Sequence, residues 1–444
     1  MGKVSGLLVV PVAQGSAQAR VIKKRLALLL SWNPRSRWDD DMRTIGHVCF
    51  AVLLAGSLLA PTPGAAQKKY GPGVTDTEIK IGQTMPYSGP NSVYGTYGRA
   101  QVAFFQMVNE RGGINGRKIT LLSLDDGYSP PRTVEQIRKL VEQDDVLMIF
   151  SSFGTPTNAA IVKYLNARRV PHLFLTSGGA EFADAKSFPW TMGWRVNYVA
   201  EARVYGKYLR QTRPSAKIAA LYQHDDVGKD YMRGLREGLG ERAAQMIVAE
   251  ASYEVTDPTV DSQVISLRAS GADTFFHFGS SKATAQAIRK IWDIGWRPLQ
   301  FVSNPSASVA TVMRPAGLEK SIGIISGAYL KDPTDSHWQN DAGYKEWLAF
   351  MKGYYPEGDT QDLYNVYAYG TAATLVQVLK QCGDDLTREN VMRQAESLRN
   401  LELPVLLPGI RINTGADDHS PVEQMQLQRF DGRQWVLFGE IISP

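Results

Sequence analysis

The sequence predicts an α/β protein built from two doubly wound parallel-sheet lobes. Strand and helix signals alternate from residue 71 onward, in two successive arrays that cover residues 71–190 and 197–320. Each array is long enough to form a sheet and a core of its own. The composition is that of a globular chain, since 43% of the 444 residues are hydrophobic and 21% are charged.

Residues 78–127 illustrate how the elements follow from the sequence. EIKIGQTM reads as a strand, and the residues after the next loop form one apolar helical stripe, made of Ala100, Ala103, Phe104, Met107 and Val108. Gly112 and Gly113 stop this helix, and Asn115-Gly116 turns the chain into a second strand, KITLLSL. A strand–helix–strand unit predicts a parallel pair with a right-handed crossover. Such sheets bind ligands beyond the carboxyl ends of their strands, where the loop PYSGPNSVYGTYG lies.

The pattern continues and then changes after residue 321. VLMIF, VPHLFL, KIAALYQ, MIVAEASY, DTFFHF and PLQFVSN read as further strands. Long helices follow over 341–355 and 362–381, and Thr387 is a good start signal for another helix. The last sixty residues are β-like, with GIRIN, EQMQLQRFDG and QWVLFGEI, and Asp431-Gly432 marks a hairpin.

The amino terminus predicts export. Residues 42–66 hold one Arg, an apolar run and small residues up to Ala66, the organisation of a secretory signal peptide cleaved before Gln67. Residues 1–41 are interpreted as a mis-started extension, with a genuine extra segment as the alternative. Eight of the 49 Lys and Arg residues and three of the 44 Asp and Glu residues precede Gln67, which leaves 41 of each. The mature chain is therefore neutral and has no nucleic-acid footprint. Of two Cys, only Cys382 would remain.

Catalytic and metal-binding motifs are missing from the sequence. There is no His-Glu-x-x-His, Cys-x-x-Cys, Walker loop or Gly-x-Ser-x-Gly elbow, so no metal or cofactor is expected. Asp125-Asp126-Gly127 is best interpreted as the end of a strand and a turn. His224 and Asp225 follow a strand, and either contact a ligand or belong to a solvated loop.

Small polar residues recur instead after predicted strands. Ser88 and Tyr94 follow the first strand, residues 151–155 follow VLMIF, and residues 176–179 follow HLFL. Hydroxyls and backbone N–H groups at helix amino ends suit a carboxylate. Aromatic residues nearby are candidates for stacking on a flat ligand: Tyr94, Phe153, Trp190, Trp194 and Phe278.

With these residues in view, the chain resembles the periplasmic solute-binding proteins of branched-chain amino-acid-type ABC importers, which have the type I periplasmic binding protein fold. The resemblance covers residues 74 to about 440 and rests on I-K-I-G…S-G-P…Y-G, N-E-R-G-G-I-N-G-R, L-D-D and L-Y-Q-H-D-D-V-G-K-D-Y. It implies two lobes joined by a multi-strand hinge, with the ligand in the interlobe cleft. The expected lobes are 67–192 plus 323–406 and 193–322 plus 407–444.

The resemblance also implies a binding site. In relatives that take leucine-like amino acids, the loops matching Phe153-Gly154-Thr155 and Ser177-Gly178-Gly179 hold the α-carboxylate. An acidic residue of the second lobe holds the ammonium, and our alignment places Asn304 or Pro305 there. Aromatic hydroxyls expected in that lobe fall near Val227 and Ser280. Since an ammonium is costly to bury without a counter-charge, we hypothesise a carboxylate ligand without an α-amino group.

Aromatic residues near these positions, and similarity to subgroup members that take lignin-type acids, favour a benzoate- or cinnamate-like ligand. The expected protein is periplasmic, monomeric, not embedded in the membrane and not an enzyme. Its partners would be the permease subunits of an ABC importer with their cytoplasmic ATPases. The alternatives are a branched-chain amino-acid or amide binding protein, a sensory ligand-binding protein, and a hydrolase that uses His224 and Asp225.

Overall fold

The computed structural model describes residues 68–443, so the predicted extension and signal peptide lie outside the described residues. Fourteen strands are described. They are β1 Lys69–Tyr70, β2 Glu78–Met85, β3 Lys118–Asp125, β4 Ile149–Phe150, β5 His172–Leu173, β6 Thr191–Met192, β7 Ile218–Gln223, β8 Ile247–Tyr253, β9 Thr274–Phe278, β10 Leu299–Val302, β11 Ile325–Ala328, β12 Asp385–Leu386, β13 Met425–Phe430 and β14 Trp435–Ile442.

Twelve α-helices are described in the same part of the chain. They are α1 Thr96–Glu110, α2 Pro130–Glu142, α3 Thr155–Ala167, α4 Tyr198–Thr212, α5 Asp226–Leu239, α6 Ala243–Met246, α7 Asp261–Ala269, α8 Ser281–Asp293, α9 Arg314–Ala316, α10 Ala342–Tyr354, α11 Leu363–Cys382 and α12 Arg388–Ala395. Short turns of 3₁₀ helix at Ser92–Gly95, Ala180–Ala183 and Asn304–Ser306 lie near the site described below.

Two main sheets confirm the predicted α/β fold. The first has the strand order β3-β2-β4-β5-β6, and every pair in it is parallel. The second has the order β14-β13-β11-β10-β9-β7-β8. The five strands β7 to β11 are parallel, β13 is antiparallel to β11, and β14 is antiparallel to β13. The strands β1 and β12 form a separate parallel pair.

The chain passes between the two sheets three times. It leaves the first sheet after β6, returns after β11 to place α11 against α1, and crosses again to form the hairpin of β13 and β14. One apolar cluster contains residues from both halves. The two sheets are therefore joined by three chain crossings, which is compatible with hinged motion of two lobes.

Local signals placed most elements correctly. Gly112 and Gly113 have φ angles of 101° and 69° at the end of α1, a conformation that glycine adopts without steric cost. The side chain of Thr387 accepts a hydrogen bond from the N–H of Asn390 and caps α12 as predicted. Cys382 is the last residue of α11, and burial raises the pKa of its thiol to about 12.

Three details differ from the sequence prediction. VLMIF was predicted to be a strand over its whole length, but only Ile149–Phe150 forms one. The preceding residues still leave the turn at Asp145, where φ is 52°. GIRIN forms a single bridge between Leu401 and Ile412, because no strand of either sheet runs beside it. The strand β11, expected in the first lobe, pairs with β10 and β13 in the second sheet.

Candidate functional site

A cavity lies between the carboxyl edges of the two sheets. Its volume, measured to the centres of water-sized molecules, is about 40 Å³, enough for roughly three waters. It is lined by Asn91, Tyr94, Tyr97, Tyr128, Phe153, Gly154, Thr155, Thr176, Arg195, Tyr198, Gln223, Val227, Tyr231, Gly279, Ser280, Ser303 and Pro305. Most of these residues follow parallel strands, the position at which open α/β sheets bind small molecules.

Aromatic rings form two walls of the cavity. On the first-sheet side, Phe153 stacks on Tyr94 with ring centroids 4.6 Å apart, and Tyr97 and Tyr128 each lie 5.8 Å from it. On the second-sheet side, Tyr198 stacks on Tyr231 at 4.6 Å. Such walls favour a flat or apolar ligand body.

The loop before α3 supplies polar groups. Gly154 has a φ of 100°, which turns the chain between β4 and the first turn of the helix. The hydroxyl of Thr155 lies 2.7 Å from that of Ser177, which in turn accepts the N–H of Gly179 at 3.0 Å. Backbone N–H groups at the start of a helix favour an anion.

Arg195 is the positively charged residue of the cavity lining. It is 6% exposed, and its Nη2 donates a long hydrogen bond of 3.5 Å to the hydroxyl of Tyr97. The Nε atom has no hydrogen-bond partner, and the guanidinium carbon lies 4.5 Å from the centroid of the Tyr367 ring. No carboxylate among residues 68–443 contacts the guanidinium directly, so its Nε lacks a hydrogen-bond acceptor inside the cavity wall.

Glu201 is a buried acid behind the second-sheet wall. Its Oε1 accepts hydrogen bonds from the N–H of Asn304 at 2.6 Å and from the hydroxyl of Tyr205 at 2.8 Å. Its Oε2 accepts from the hydroxyl of Tyr231 at 3.0 Å. Burial raises the pKa of this carboxyl to about 7, although these hydrogen bonds and the charge of Arg195 lower it.

The absence of an acid at Asn304 therefore does not leave this region without a carboxylate. Asn304 carries no acid itself, but α4 brings the Glu201 carboxylate to within hydrogen-bond distance of its backbone. Glu201 is covered by Tyr231, which lines the cavity, and it is not itself part of the lining. The second half of the molecule therefore does contain a buried acid near this position, although not at Asn304 or Pro305.

Five of the predicted ligand-binding residues line the cavity together: Tyr94, Phe153, Gly154, Thr155 and Ser280. Ser177 stands directly behind Thr155. Val227, the position at which an aromatic hydroxyl was expected, lines it as well. The loops after β2 and β4 meet at the carboxyl edge of the first sheet, and the loop after β9 reaches them from the facing carboxyl edge of the second sheet.

Other first-lobe candidates face elsewhere. The Ser88 hydroxyl donates to Asp125 at 2.6 Å and the residue is exposed. Gly178 packs against the ring of Tyr198, while Gly179 lies in a neighbouring polar groove. Trp194 is fully buried and its indole donates to the hydroxyl of Thr374 at 2.9 Å.

The remaining candidates of the second lobe also lie outside the lining. His224 is exposed, with Nδ1 3.0 Å from the hydroxyl of Ser252. The Asp225 carboxylate caps α5 through the N–H of Val227 at 2.9 Å, so these two side chains do not form a catalytic pair. Phe278 is buried against Tyr231, and the Asn304 amide donates to the carbonyl of Gly327 at 2.8 Å.

Several lining residues were not predicted from the sequence, among them Tyr97, Tyr128, Tyr198, Gln223, Tyr231 and Arg195. One signal was available for Arg195, which is the sole basic residue in the aromatic segment FPWTMGWRVNY between the two arrays. An arginine among aromatic residues between the two arrays is an unusual combination, and it indicates a candidate ligand-binding residue.

Comparison with known proteins now identifies the family. A model of the family described as periplasmic binding protein matches residues 78–434. The chain belongs to that family. Leu/Ile/Val-binding protein homolog 7 of Brucella abortus is 22% identical over 340 residues, covering 74% of this chain and 82% of the relative. An amino acid binding protein of Pseudomonas aeruginosa is 22% identical over 311 residues, covering 69% and 79%.

Solved structures that are similar to this chain confirm the fold. A branched chain amino acid ABC transporter protein from Thermus thermophilus with bound valine superposes with a TM-score of 0.75 at 16% identity, covering 84% of this chain and 98% of the other. A fatty acid ABC transporter substrate-binding protein from Thermomonospora curvata gives 0.71 at 22% identity, covering 85% and 95%.

Within residues 68–443, no helix is both long and apolar enough to cross a bilayer. The same residues contain no group of three or more His, Cys, Asp or Glu side chains arranged to hold a metal ion.

Proposed function

We propose that this periplasmic binding protein is the substrate-binding component of an ABC importer and captures a small organic acid, an aromatic carboxylate of the benzoate or cinnamate type. Ligand binding would close the two lobes about the hinge, and the closed protein would deliver its cargo to a membrane permease driven by cytoplasmic ATPases. Family membership supports the binding-protein class. The export signal expected at residues 42–66 supports action in the periplasm.

The unpaired guanidinium of Arg195 is the observation that carries the proposal. A buried cation is costly unless a counter-charge reaches it, and no carboxylate of residues 68–443 pairs with Arg195. A ligand carboxylate would supply that charge and the missing hydrogen-bond acceptor for Nε. Arg recognises carboxylates through two parallel N–H groups, which also fixes the ligand's orientation.

The aromatic walls support the rest of the ligand assignment. Phe153 and Tyr94 on one side and Tyr198 and Tyr231 on the other offer faces on which a flat ring can stack. At about 40 Å³ the cavity is too small for a benzoate, so the lobes must separate to admit it and settle around it.

A branched-chain amino acid is the second candidate ligand. Glu201 favours it, because a carboxylate behind Tyr231 offers a counter-charge for an ammonium group if that tyrosine moves aside. The relatives from Brucella abortus and Thermus thermophilus are named for such ligands. Against this candidate, three hydrogen bonds already occupy the Glu201 oxygens.

A thermal-shift panel tests the proposal. The mature chain is heated with benzoate, trans-cinnamate, leucine, valine and a medium-chain fatty acid at equal concentrations. A ligand present at 100 times its Kd adds about 2.7 kcal/mol to the free energy of unfolding. We expect stabilisation by the aromatic acids. Stabilisation by leucine or valine alone would replace this ligand class with amino acids.

Recovery of the ligand separates binding from catalysis. A benzoate ester or amide incubated with the protein should be returned unchanged, because the cavity lining lacks a paired nucleophile and base among residues 68–443. Appearance of the free acid would favour the hydrolase alternative. A sensory role would instead be indicated by a ligand-dependent transcriptional response that is lost when this protein is deleted and kept when the importer's permease is deleted.

A further inference from the structure

Glu201 is the central member of a polar network buried inside the second half of the molecule. Its three donors come from α4 (Tyr205), α5 (Tyr231) and the turn after β10 (Asn304). The hydroxyl of Tyr205 also accepts the N–H of Gly327 in β11 at 2.7 Å. All of these elements belong to the second-sheet half, so the network does not depend on whether the cleft is closed.

This network can accommodate Glu201 with or without a proton. In the ionised form, Tyr205 donates to Oε1 at 2.8 Å. The same hydroxyl lies 3.4 Å from the carbonyl oxygen of Val302, which is a second acceptor for its proton. If Tyr205 turns its proton toward Val302, its oxygen can accept a hydrogen bond from a protonated Glu201 in addition to the one from the Gly327 N–H. Neither state leaves the carboxyl group without a partner.

The ionisable groups that face Glu201 are one arginine and three tyrosines. Arg195, on the segment before α4, is the cation, and its charge lowers the pKa of Glu201. The phenols of Tyr205, Tyr231 and Tyr329 surround the carboxyl and stay neutral, because burial raises their pKa values. Arg195 is therefore shared electrostatically between Glu201 and whatever anion enters the cavity.

We propose that Glu201 couples ligand capture to a proton: the cavity binds a carboxylate more tightly when Glu201 is protonated, and binding draws a proton onto it. This inference rests on the proposed function. The physical reason is that an ionised Glu201 repels a ligand anion and competes with it for the charge of Arg195. A bound anion must in turn favour the protonated form of Glu201, because linkage is reciprocal. The protonation state of Glu201 thus changes the affinity of the cavity for an anion, although Glu201 does not contact the anion.

Calorimetry tests the proposal with benzoate and trans-cinnamate as probes. Their carboxyl groups, with pKa values of about 4, remain ionised from pH 6 to pH 8. We expect the Kd to fall about tenfold as the pH is lowered from 8 to 6. At pH 7, titrations in buffers of different ionisation enthalpy should show uptake of about half a proton per ligand. A Kd that does not change over this range, with no proton uptake, overturns the proposal.

Matched variants assign the proton. Glu201→Gln keeps the shape of the side chain and an acceptor for Tyr205 and Asn304, and should abolish both the pH dependence and the proton uptake. Asp332→Asn is the control, because burial also raises the pKa of Asp332, to about 6, yet its hydrogen bonds go to Thr334, away from the cavity. The control should behave like the wild type. Proton uptake that persists in Glu201→Gln contradicts the assignment.

Two further results keep the inference separate from the proposed function. If neither probe binds at any pH, both proposals fail. If the probes bind but the Kd does not depend on pH, the ligand class stands and the role of Glu201 falls. Should Glu201→Gln not fold, ¹³C-carboxyl NMR of the ligand-free wild type replaces it. A buried Glu signal titrating near pH 7 and shifting upward with benzoate supports the proposal, whereas titration below pH 5 overturns it.

Discussion

The hydroxyl of Tyr94 accepts a hydrogen bond from the backbone N–H of Ser281 at 2.8 Å and lies 2.8 Å from the Ser281 hydroxyl. Tyr94 follows β2 of the first sheet, and Ser281 is the first residue of α8 in the half that contains the second sheet. A phenol from one half therefore satisfies a free N–H group at a helix start in the other half. This bond joins the two halves beside the ligand cavity.

We expect Tyr94→Phe to weaken that connection. The Ser281 N–H would lose its partner in a buried position, which costs about 1–3 kcal/mol. The variant should show a lower free energy of unfolding by urea titration. In small-angle scattering, the ligand-free protein should have a larger radius of gyration than the wild type.

Tyr87→Phe is the matched control for Tyr94→Phe. The Tyr87 hydroxyl bonds to Ser123 within the first half of the molecule, so its loss should not change the radius of gyration. Equal scattering from Tyr94→Phe and the wild type would show that the Tyr94 bond does not hold the halves together.

Arg195→Gln should separate binding from stability. Because no carboxylate among residues 68–443 contacts Arg195 directly, its loss should lower the free energy of unfolding less than the loss of a buried arginine held in an ion pair. The affinity for benzoate, measured by calorimetry, should fall by at least about thirtyfold, since truncating a buried charge contact costs 2 kcal/mol or more.

Arg117→Gln provides the opposite case. Arg117 is equally buried but pairs with Asp384 at 2.7 Å and lies away from the cavity. Its loss should lower the free energy of unfolding by up to about 3 kcal/mol and leave the benzoate Kd unchanged. If both arginine variants change the Kd alike, Arg195 is not the carboxylate receptor.

Gly154→Ala should affect the protein in two ways that can be separated, through backbone strain and through a steric clash in the cavity wall. Gly154 has a φ of 100°, and a Cβ there would clash with the ring of Tyr128, which lines the cavity. Gly112 has a nearly equal φ of 101° with open space around it. Gly112→Ala should therefore cost only the backbone strain, about 1–2 kcal/mol. In urea titration, Gly154→Ala should lower the free energy of unfolding more than Gly112→Ala does, and it should also weaken ligand binding. If both variants lose the same free energy of unfolding, a clash at Tyr128 is excluded.

Glu201 should make the folded state less stable as the pH rises. Because its pKa is about 7 in the folded protein and about 4.3 when unfolded, the folded state binds more protons between these values. The stabilisation from Glu201 is thus fully present below about pH 4.3 and is lost as the pH rises through 7, by roughly 4 kcal/mol in total.

The difference between the wild type and Glu201→Gln isolates this effect, since other titrating groups cancel. Those groups include His172, whose pKa burial lowers to about 3 and whose contribution has the opposite sign. Urea titrations at pH 5 and pH 8 should show the wild type losing about 3 kcal/mol more than the variant. Parallel pH profiles would mean that Glu201 titrates normally.

Local patterns in the sequence were enough to define most elements. The apolar stripe of α1, the glycines that end it, the cap at Thr387 and the hairpin at Asp431-Gly432 all appear where predicted. Each depends on residues within one or two turns of each other, so the signal is contained in a short window. The general position of the site followed in the same way, because ligand loops follow parallel strands.

The chemistry of the site was decided by tertiary structure. Glu201 meets the backbone of Asn304 across 103 residues of sequence, and Tyr94 meets Ser281 across 187. Contacts over such distances in the sequence cannot be predicted from a short window of residues. The lack of an acid at Asn304 therefore gave no indication that Glu201 lies beside its backbone. The sequence by itself determined the sheets, the loops and the helix amino terminus at Thr155, whose N–H groups favour a carboxylate. Only the packing of α4 against α5 and β11 showed where the charges of Arg195 and Glu201 lie, because their positions depend on contacts between distant elements.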